Sequence, residues 1–391
     1  MKKILLISDN KIFGFGGGCL EEHKYFDGLK YFANNKGYEF KVLSIDEEFE
    51  YSLSNKMKKT RMMDVFSRLC GHSSFVYFEW KRFRKNVLDF NPNIIFLGRT
   101  RLGFIAKDIK KLIPSCKVVS NFENIEYDYV DGYFSDKQDT FKSLYVLLEK
   151  WCVMHDEKKA VRYSDALNYL TTRDKKRCHS LYKPVDKYET ILPICIEKEK
   201  KLSKTCSKKS IVFIGSLNYA SNINALTNFI TTVWLPNYNF RNDIQLIVGG
   251  SKPRKEIKEL ILSLNNCSLF EDFRALEDIV PKKSLVIAPI RKGAGMKVKV
   301  AETLSMGLMI AASDEALVGY EEAEREDRLG GILRVNSTEE YKKVINSYMH
   351  ITDDQLTMIA KQNIELYKKY YSYNRSRNAI YKMCFEGLGG N

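Results

Sequence analysis

The sequence predicts an α/β protein built as two doubly wound, Rossmann-like domains facing a cleft. Three observations carry that expectation. The chain has 391 residues, more than one ordinary core accommodates and suited to two α/β domains. Short apolar runs alternate with helical stretches along both halves, and most runs are continuous in hydrophobicity, as strands covered on both faces are. Glycines follow such runs, at Gly16-Gly17-Gly18, Gly215, Gly249-Gly250 and Gly293 to Gly295, and open α/β sheets bind ligands beyond the carboxyl ends of their strands.

The first run, Ile4–Ser8, begins after two lysines as a signal peptide does. It stops after four apolar residues and meets Asp9-Asn10, so it reads as a strand. Further strands are expected at Phe40–Ile45, Ile94–Gly98, Lys117–Ser120 and Ala166–Leu170, with helices at Leu20–Asn34, Met57–Cys70, Trp80–Asp89 and Phe104–Leu112. These make a domain over residues 1–196. The charged stretch from Glu197 to Lys204 has no apolar period, and residues 197–209 read as an exposed linker. A second series fills residues 210–370. Its strands are Ile211–Gly215, Ile244–Gly249, Ser268–Phe270, Leu285–Pro289 and Leu308–Ala312, and its helices Asn222–Val233, Arg254–Leu264, Leu276–Pro281 and Lys297–Met306. Helices near Thr338–Met349 and Asp353–Tyr370 follow, and a C-terminal helix within 371–391 is expected to pack back on the first domain.

Composition removes several function classes. Nine cysteines are scattered, odd in number and never spaced Cys-x-x-Cys, which argues against zinc ribbons and a disulfide framework and for a reducing cytoplasm. The five histidines show no ligand spacing, so no metal is expected. No apolar run reaches the roughly 18 residues of a membrane span. Net charge is +14, and residues 51–120 hold fifteen Lys/Arg against four Asp/Glu. That field attracts anions. Bases mixed with Met, Phe and Trp through residues 56–85 resemble an interfacial helix that contacts an anionic membrane, with a solvated basic helix as the alternative. No nucleic-acid motif accompanies the charge.

The most informative stretch is Pro289 to Gly307. Strand Leu285 to Ala288 runs into Arg291, Lys292, Gly293, Ala294, Gly295 and Met296, then into a helix bearing Lys297, Lys299 and Glu302. A helix N-terminus offers amides and partial positive charge, glycines admit close approach, and lysines add countercharge, which together suit a nucleotide diphosphate. Glu302 lies where a carboxylate accepts hydrogen bonds from a ribose diol. Taken alone, Glu302 reads first as a surface carboxylate, and Glu123 reads equally as a helix cap just past a strand. Cys19, beside Gly18, reads as a small buried side chain, since no partner base is identifiable.

Four blocks in order, Ile211 to Asn222, Trp234-Leu235-Pro236, Leu246 to Gly250 and 289–307, resemble the nucleotide-sugar-binding domain of retaining, family 4-like GT-B glycosyltransferases (group 1). The resemblance covers residues 210–320 best. It implies a hexosyltransferase that needs no cofactor and takes a nucleotide-sugar, a UDP-sugar first among them, as donor. The acceptor would be a glycan or polyprenyl-diphosphate-linked glycan in bacterial surface polysaccharide synthesis, at the inner face of the cell membrane. By position, Glu302 matches the glutamate that holds the ribose, and Gly295 and Met296 the turn facing the phosphates. Lys297 and Lys299 would neutralise the departing diphosphate, with Gly215, Gly249, Arg291 and Gly293 completing the donor side. Gly16, Gly17 and Gly18 match the N-terminal loop approaching diphosphate and acceptor. Glu123 and Lys297 are the expected catalytic groups, with Asn121, Asn124 and Glu126 on the acceptor side.

Two departures matter. The first of two family glutamates would fall at Ala294, and Glu123 stands where relatives carry a histidine. The second departure leaves open a non-catalytic partner or chaperone of another transferase, and the two-domain plan also suits a nucleotide-sugar epimerase.

Overall fold

The structure, a computed structural model, describes residues 1–14, 16–46, 48, 49, 51, 52, 61–134, 140–206, 208–236 and 244–386. They form two compact units, one of Met1–Cys195 with the segment from Tyr373 onward, the other of Ile196–Ser372.

The first unit runs β1 (Lys3–Ile7), α1 (Gly17–Lys36), β2 (Glu39–Ser44), β3 (Tyr51–Ser52), α2 (Arg61–Leu69), α3 (Val76–Phe90), β4 (Ile94–Leu97), a single 3-10 turn at Thr100–Leu102, α4 (Gly103–Leu112), β5 (Lys117–Phe122), α5 (Glu126–Phe134), α6 (Thr140–Tyr163), β6 (Ala166–Tyr169), α7 (Thr172–Tyr182) and β7 (Tyr188–Ile191). Among the described residues its strands form one parallel sheet in the order β3-β2-β1-β4-β5-β6-β7. Ile4 pairs with Phe40 on one side and Ile94 on the other. Nearly every residue of β1 and β4 is buried, because helices cover both faces.

The second unit runs β8 (Lys209–Ile214), α8 (Ala220–Phe229), β9 (Ile244–Gly250), α9 (Lys255–Leu262), β10 (Cys267–Glu271), α10 (Leu276–Ile279), β11 (Leu285–Ala288), α11 (Val298–Ser305), β12 (Met309–Ala312), α12 (Glu321–Glu326), β13 (Ile332–Arg334), α13 (Thr338–His350) and α14 (Asp353–Tyr370). Its parallel sheet has the order β10-β9-β8-β11-β12-β13. Leu285 pairs with both Ile211 and Met309. The chain then returns to the first unit as α15 (Tyr373–Tyr381), where Arg377 grips Asp27 of α1 through two hydrogen bonds of 2.8 Å.

In each sheet the strand order reverses beside the first strand of the series, between β1 and β4 and between β8 and β11. At such a switch point the helices leave on opposite faces, and the loops at the carboxyl ends part to leave a crevice.

Several expected elements shift. The helix expected from Met57 begins at Arg61, and residues 57–60 of that expectation lie outside the described residues. The helix expected from Trp80 begins four residues earlier, and Gly17 and Gly18 belong to the first turn of α1 instead of a loop. The single helix expected over 222–233 is two pieces, α8 and a π-helical turn at Ile230–Trp234. Thr231 and Thr232 donate their hydroxyls to the carbonyls of Thr227 and Asn228, the back-bonding by which β-branched hydroxyl residues bend a helix. The segment expected as a linker lies along the second unit, with Lys200 N donating to Ser305 O at 3.0 Å and Lys282 N to Lys204 O at 2.8 Å.

Candidate functional site

In the second unit the loop from Pro289 to Lys297 leaves β11 at the switch point and enters α11. Gly295 takes the left-handed conformation (φ 65°), which a side chain there would strain. Met296 is buried and anchors the bend. Tyr320 fixes the helix start by donating its hydroxyl to Lys297 O at 2.8 Å while accepting from Ala301 N at 3.1 Å. Ser221, in the first turn of α8, donates to Lys292 O and ties the loop from the other side.

The two lysines have different occupations. Lys297 Nζ donates to Ala294 O (3.0 Å), Gly295 O (2.8 Å) and Glu315 Oε1 (3.0 Å), so it locks the turn rather than serving as mobile countercharge, a correction to the expected role. Lys299, in the first turn of α11, is 9% exposed. Its Nζ donates to Asn222 Oδ1 at 3.1 Å and lies 4.7 Å from the centre of the Phe213 ring. Among the described residues no carboxylate forms an ion pair with it. Burial, aided by Lys297, pushes its ammonium down to about 7 against the pull of Glu302. Glu302, half-buried one turn further on, is pushed up to about 7 by burial, with Lys200 and Lys299 opposing and Glu277 assisting.

The other expected donor residues divide. A Cβ on Gly215 would come within 3.0 Å of Lys299 Nζ and of the Asn222 amide, so this glycine makes room for that pair. Gly249 faces Ile279 and Phe273 instead, and a Cβ there would meet Ile279 Cδ1 at 2.4 Å, so packing explains it. Gly293 is exposed at the loop tip. Arg291 is exposed and lines a groove with Asn228, Thr232, Asn336, Thr338 and Tyr341, a lining that does not include Gly215, Asn222 or Lys299.

In the first unit, carboxylates gather at the carboxyl ends of β1, β4 and β5. Glu123, just past β5, has its Oε2 at 3.3 Å from Arg99 Nε, yet the pair is not aligned as a hydrogen bond and Arg99 Nε has no acceptor. Burial pushes Glu123 up to about 7 against the pull of Arg99, with repulsion from Glu126, Glu21 and Asp9. It caps no helix. Gly16 is the N-cap of α1 (φ 110°), Gly17 and Gly18 open the helix, and a Cβ on Gly18 would meet Asn10 Nδ2 at 2.5 Å and Glu123 Oε1 at 3.2 Å. The start of α1 thus faces acid, which disfavours the diphosphate expected beside these glycines.

Two acceptor-side expectations need correcting. Asn121 is buried, accepting from Tyr25 Oη and Asn168 Nδ2 at 2.8 Å each and donating to Gly98 O at 3.1 Å, so its side chain is spent on the sheet. Glu126 is 1% exposed and held by Arg99 (2.8 Å) and Arg101 (2.7 Å), which pull its carboxyl down to about 2 despite burial. Asn124 is half-buried beside them. The residues that sequence reasoning missed are Asn222, Glu315 and Tyr320 in one unit and Asp9, Glu22, Arg99 and Arg101 in the other. Among the described residues no group of three or more His, Cys, Asp or Glu side chains is arranged to hold a metal ion, and no helix is long and apolar enough to cross a membrane.

Residues 208–350 match the model of the family described as glycosyl transferases group 1. No curated protein is significantly similar in sequence. Among solved structures, the chain is similar to a sucrose-phosphate synthase from Thermosynechococcus elongatus (TM-score 0.71, 10% identity, covering 97% of each chain). It is likewise similar to a glycosyltransferase from Rickettsia africae (TM-score 0.67, 13% identity, 100% of this chain and 99% of that one). A third is HepE from Anabaena in complex with UDP-glucose (TM-score 0.60, 11% identity, 98% and 99%). At these identities the likeness establishes the fold, two doubly wound domains of the GT-B type.

Proposed function

We propose that this chain is a glycosyltransferase that moves a sugar from a nucleotide-diphosphate donor, with UDP as the carrier, to a glycan or lipid-linked acceptor. The observation that carries the reading is Lys299, a buried ammonium without a carboxylate partner at the start of a helix, beside the Gly295 turn. A buried unpaired charge is costly unless something supplies its counter-ion. The first-turn amides of α11 and Lys299 together suit the two phosphates, and they favour the diphosphate most once it has taken up the charge of the broken glycosidic bond. Glu302 would accept the ribose hydroxyls from the same helix, and Lys297 would act on the ligand indirectly, by holding the turn in shape. HepE, whose structure contains UDP-glucose, supports UDP as the first nucleotide to try.

The finer reading includes retention of configuration and a place in bacterial surface polysaccharide assembly, both of which rest on the family resemblance alone. UDP is expected to raise the apparent melting temperature more than GDP, CDP or dTDP, since a ligand that binds only the folded form stabilises it. Glu302→Ala should remove most of that rise. Equal shifts from all four nucleotides, or a variant that responds as the parent does, defeats the assignment. Glu123 in place of the family histidine favours one competing reading, a non-catalytic GT-B partner. Release of UDP from a UDP-sugar in the presence of acceptor excludes it.

Peripheral membrane contact belongs to the same proposal. The described part of the 56–85 segment carries exposed Val65, Phe66 and Leu69 on α2, and α6 adds exposed Leu144, Leu147 and Trp151. Apolar groups with nearby bases suit the interface of an anionic bilayer. The protein is expected to sediment with phosphatidylglycerol vesicles and to be released by salt, with Phe66→Glu weakening the binding. Equal binding to neutral phosphatidylcholine vesicles would remove the electrostatic part of this reading.

A further inference from the structure

The groove that Arg291 lines belongs to the second unit and stands past the ends of neighbouring strands. Pro289 follows β11, Ser313 follows β12 and Val335 follows β13, and they meet the π-helical turn at Ile230–Trp234 and the start of α13 there. Open α/β sheets bind ligands beyond the carboxyl ends of their strands, and π-helical turns recur at functional sites. The floor is apolar, made of the buried Phe229, Val233, Pro289 and Val335. The groove offers about 300 Å³ of space, its open mouth included. Its floor admits little more than a water-sized group, so a carboxylate enters and the body that carries it stays at the mouth.

The hydroxyl hydrogens around the groove are already committed. Thr338 donates to Thr232 Oγ1 at 3.3 Å, Thr232 to Asn228 O at 2.8 Å, Tyr341 to Ala311 O at 3.4 Å and Ser313 to Ile290 O. What remains is the Arg291 guanidinium and the side-chain NH₂ groups of Asn228 and Asn336, which have no hydrogen-bond partner among the described residues. All three side chains are exposed and open to a solute. The lining holds this one cation and no Asp or Glu. Carboxylates close by in the chain serve other groups: Asp314 and Glu324 pair with Arg334, Glu339 with Lys342 at 2.7 Å, and Glu340 accepts from Asn336 N at 2.6 Å and Ser337 N at 3.0 Å. A single cation ringed by free donors matches one negative charge. A phosphate dianion would exceed it and meet repulsion from Asp314, Glu339 and Glu340.

We propose that this groove is an accessory site for the carboxylate of an acidic sugar, a hexuronate, held by Arg291 with Asn228 and Asn336 beside it. The planar guanidinium can grip both carboxylate oxygens in parallel, and the two amides can exchange hydrogen bonds with ring hydroxyls at the mouth. The carboxylate site stands on the groove alone, whereas the sugar as its carrier rests on the transferase reading. An acidic glycan held there is tethered to the unit that carries the Gly295 turn, which raises its effective concentration near the donor.

Calorimetric titration of the full chain without nucleotide tests this, at low ionic strength because salt screens an exposed cation. Sodium D-glucuronate is compared with D-glucose, acetate and inorganic phosphate. Glucuronate is expected to bind at least about tenfold more tightly than glucose, which lacks the charge, and at least about threefold more tightly than acetate, which lacks the hydroxyls. Arg291→Met should weaken glucuronate binding about tenfold or more, and Arg291→Lys by less, since an ammonium is a point charge without the parallel grip. Asn228→Ala should weaken it about threefold. Both side chains are exposed, so these variants leave the fold intact. Equal affinity for glucuronate and glucose, acetate as tight as glucuronate, phosphate tighter than glucuronate, no binding at all, or unchanged binding in Arg291→Met overturns the proposal. Glucuronate binding in a protein that fails to bind UDP counts against the transferase reading and leaves the groove standing.

Discussion

Lys299→Met is expected to weaken UDP binding by about thirty- to a thousandfold, because a buried charged partner contributes roughly 2–4 kcal/mol to its ligand, and to stabilise the ligand-free protein. The two effects share one cause. In the free protein the ammonium is 9% exposed, with one amide oxygen and one aromatic face for company. Methionine of similar length keeps the packing against Phe213 and removes the desolvated charge, for a gain of about 1–3 kcal/mol. The sign of the pH dependence follows from the same placement. The folded state releases its proton at about 7, whereas an unfolded lysine does so near roughly 10.4. Between those values the unfolded chain binds more protons, so the Lys299 contribution makes stability rise with pH through that window. A diphosphate needs the charged form, so UDP affinity should fall as pH rises above about 7. Calorimetry across that range, with the methionine variant losing the slope, checks both. A variant that binds UDP as the parent does, or a parent whose affinity is flat with pH, removes Lys299 from the phosphates.

Much of this arrangement could be read from the sequence, and what could not has a physical explanation. Runs such as Ile94–Leu97 and Leu285–Ala288 are buried throughout, so continuous hydrophobicity found them within a residue. The helix Asp353–Tyr370 has the expected bounds, and Thr352 and Gln355 form a reciprocal capping box at its start. The helix Thr140–Tyr163 escaped notice because its inward face carries Glu149, Asp156 and Glu157, all buried, where an apolar stripe would be looked for. Strand Tyr188–Ile191 lies at a sheet edge, half-exposed and without a continuous apolar run. At the site, the Gly295 turn, Lys299 and Glu302 sit on one short stretch and were legible together. Which of two neighbouring lysines is spent on carbonyls and Glu315 was not, since residue 315 comes from beyond the next strand. Nor could spacing reveal that Asp9, Glu22, Arg99 and Glu123 converge, because three separate strand ends and a helix bring them together.

Arg101→Met is expected to cost the first unit about 3–5 kcal/mol, since removing one member of a buried ion network leaves uncompensated charge behind. Arg101 donates to Glu126 at 2.7 Å, to Glu149 at 2.5 Å and to Ser73 O at 3.1 Å, joining the turn after β4 to α5, α6 and the loop before α3. Glu149 retains Arg68 at 2.5 Å, and among the described residues Glu126 retains only Arg99. For a unit of this size the loss corresponds to a fall in melting temperature of about 6–20 °C. Acid should narrow the gap between parent and variant. Glu126 is held at about 2 in the parent, below the roughly 4.3 of an unfolded glutamate, so its contribution is full above that value and lost as pH falls through about 2. In the variant its carboxyl rises toward protonation and the penalty shrinks as the solution is acidified. Glu126→Gln added to Arg101→Met should recover part of the loss at neutral pH, a coupling that a double-mutant cycle reads directly. A loss below about 1 kcal/mol, within the range of an exposed ion pair, would mean that the network is solvated. The consequence reaches Glu123 as well, because Arg99 divides its charge between Glu126 and Glu123. With Arg101 gone, Glu126 draws Arg99 more strongly, Glu123 loses its only nearby cation among the described residues, and its carboxyl is expected to titrate higher than in the parent.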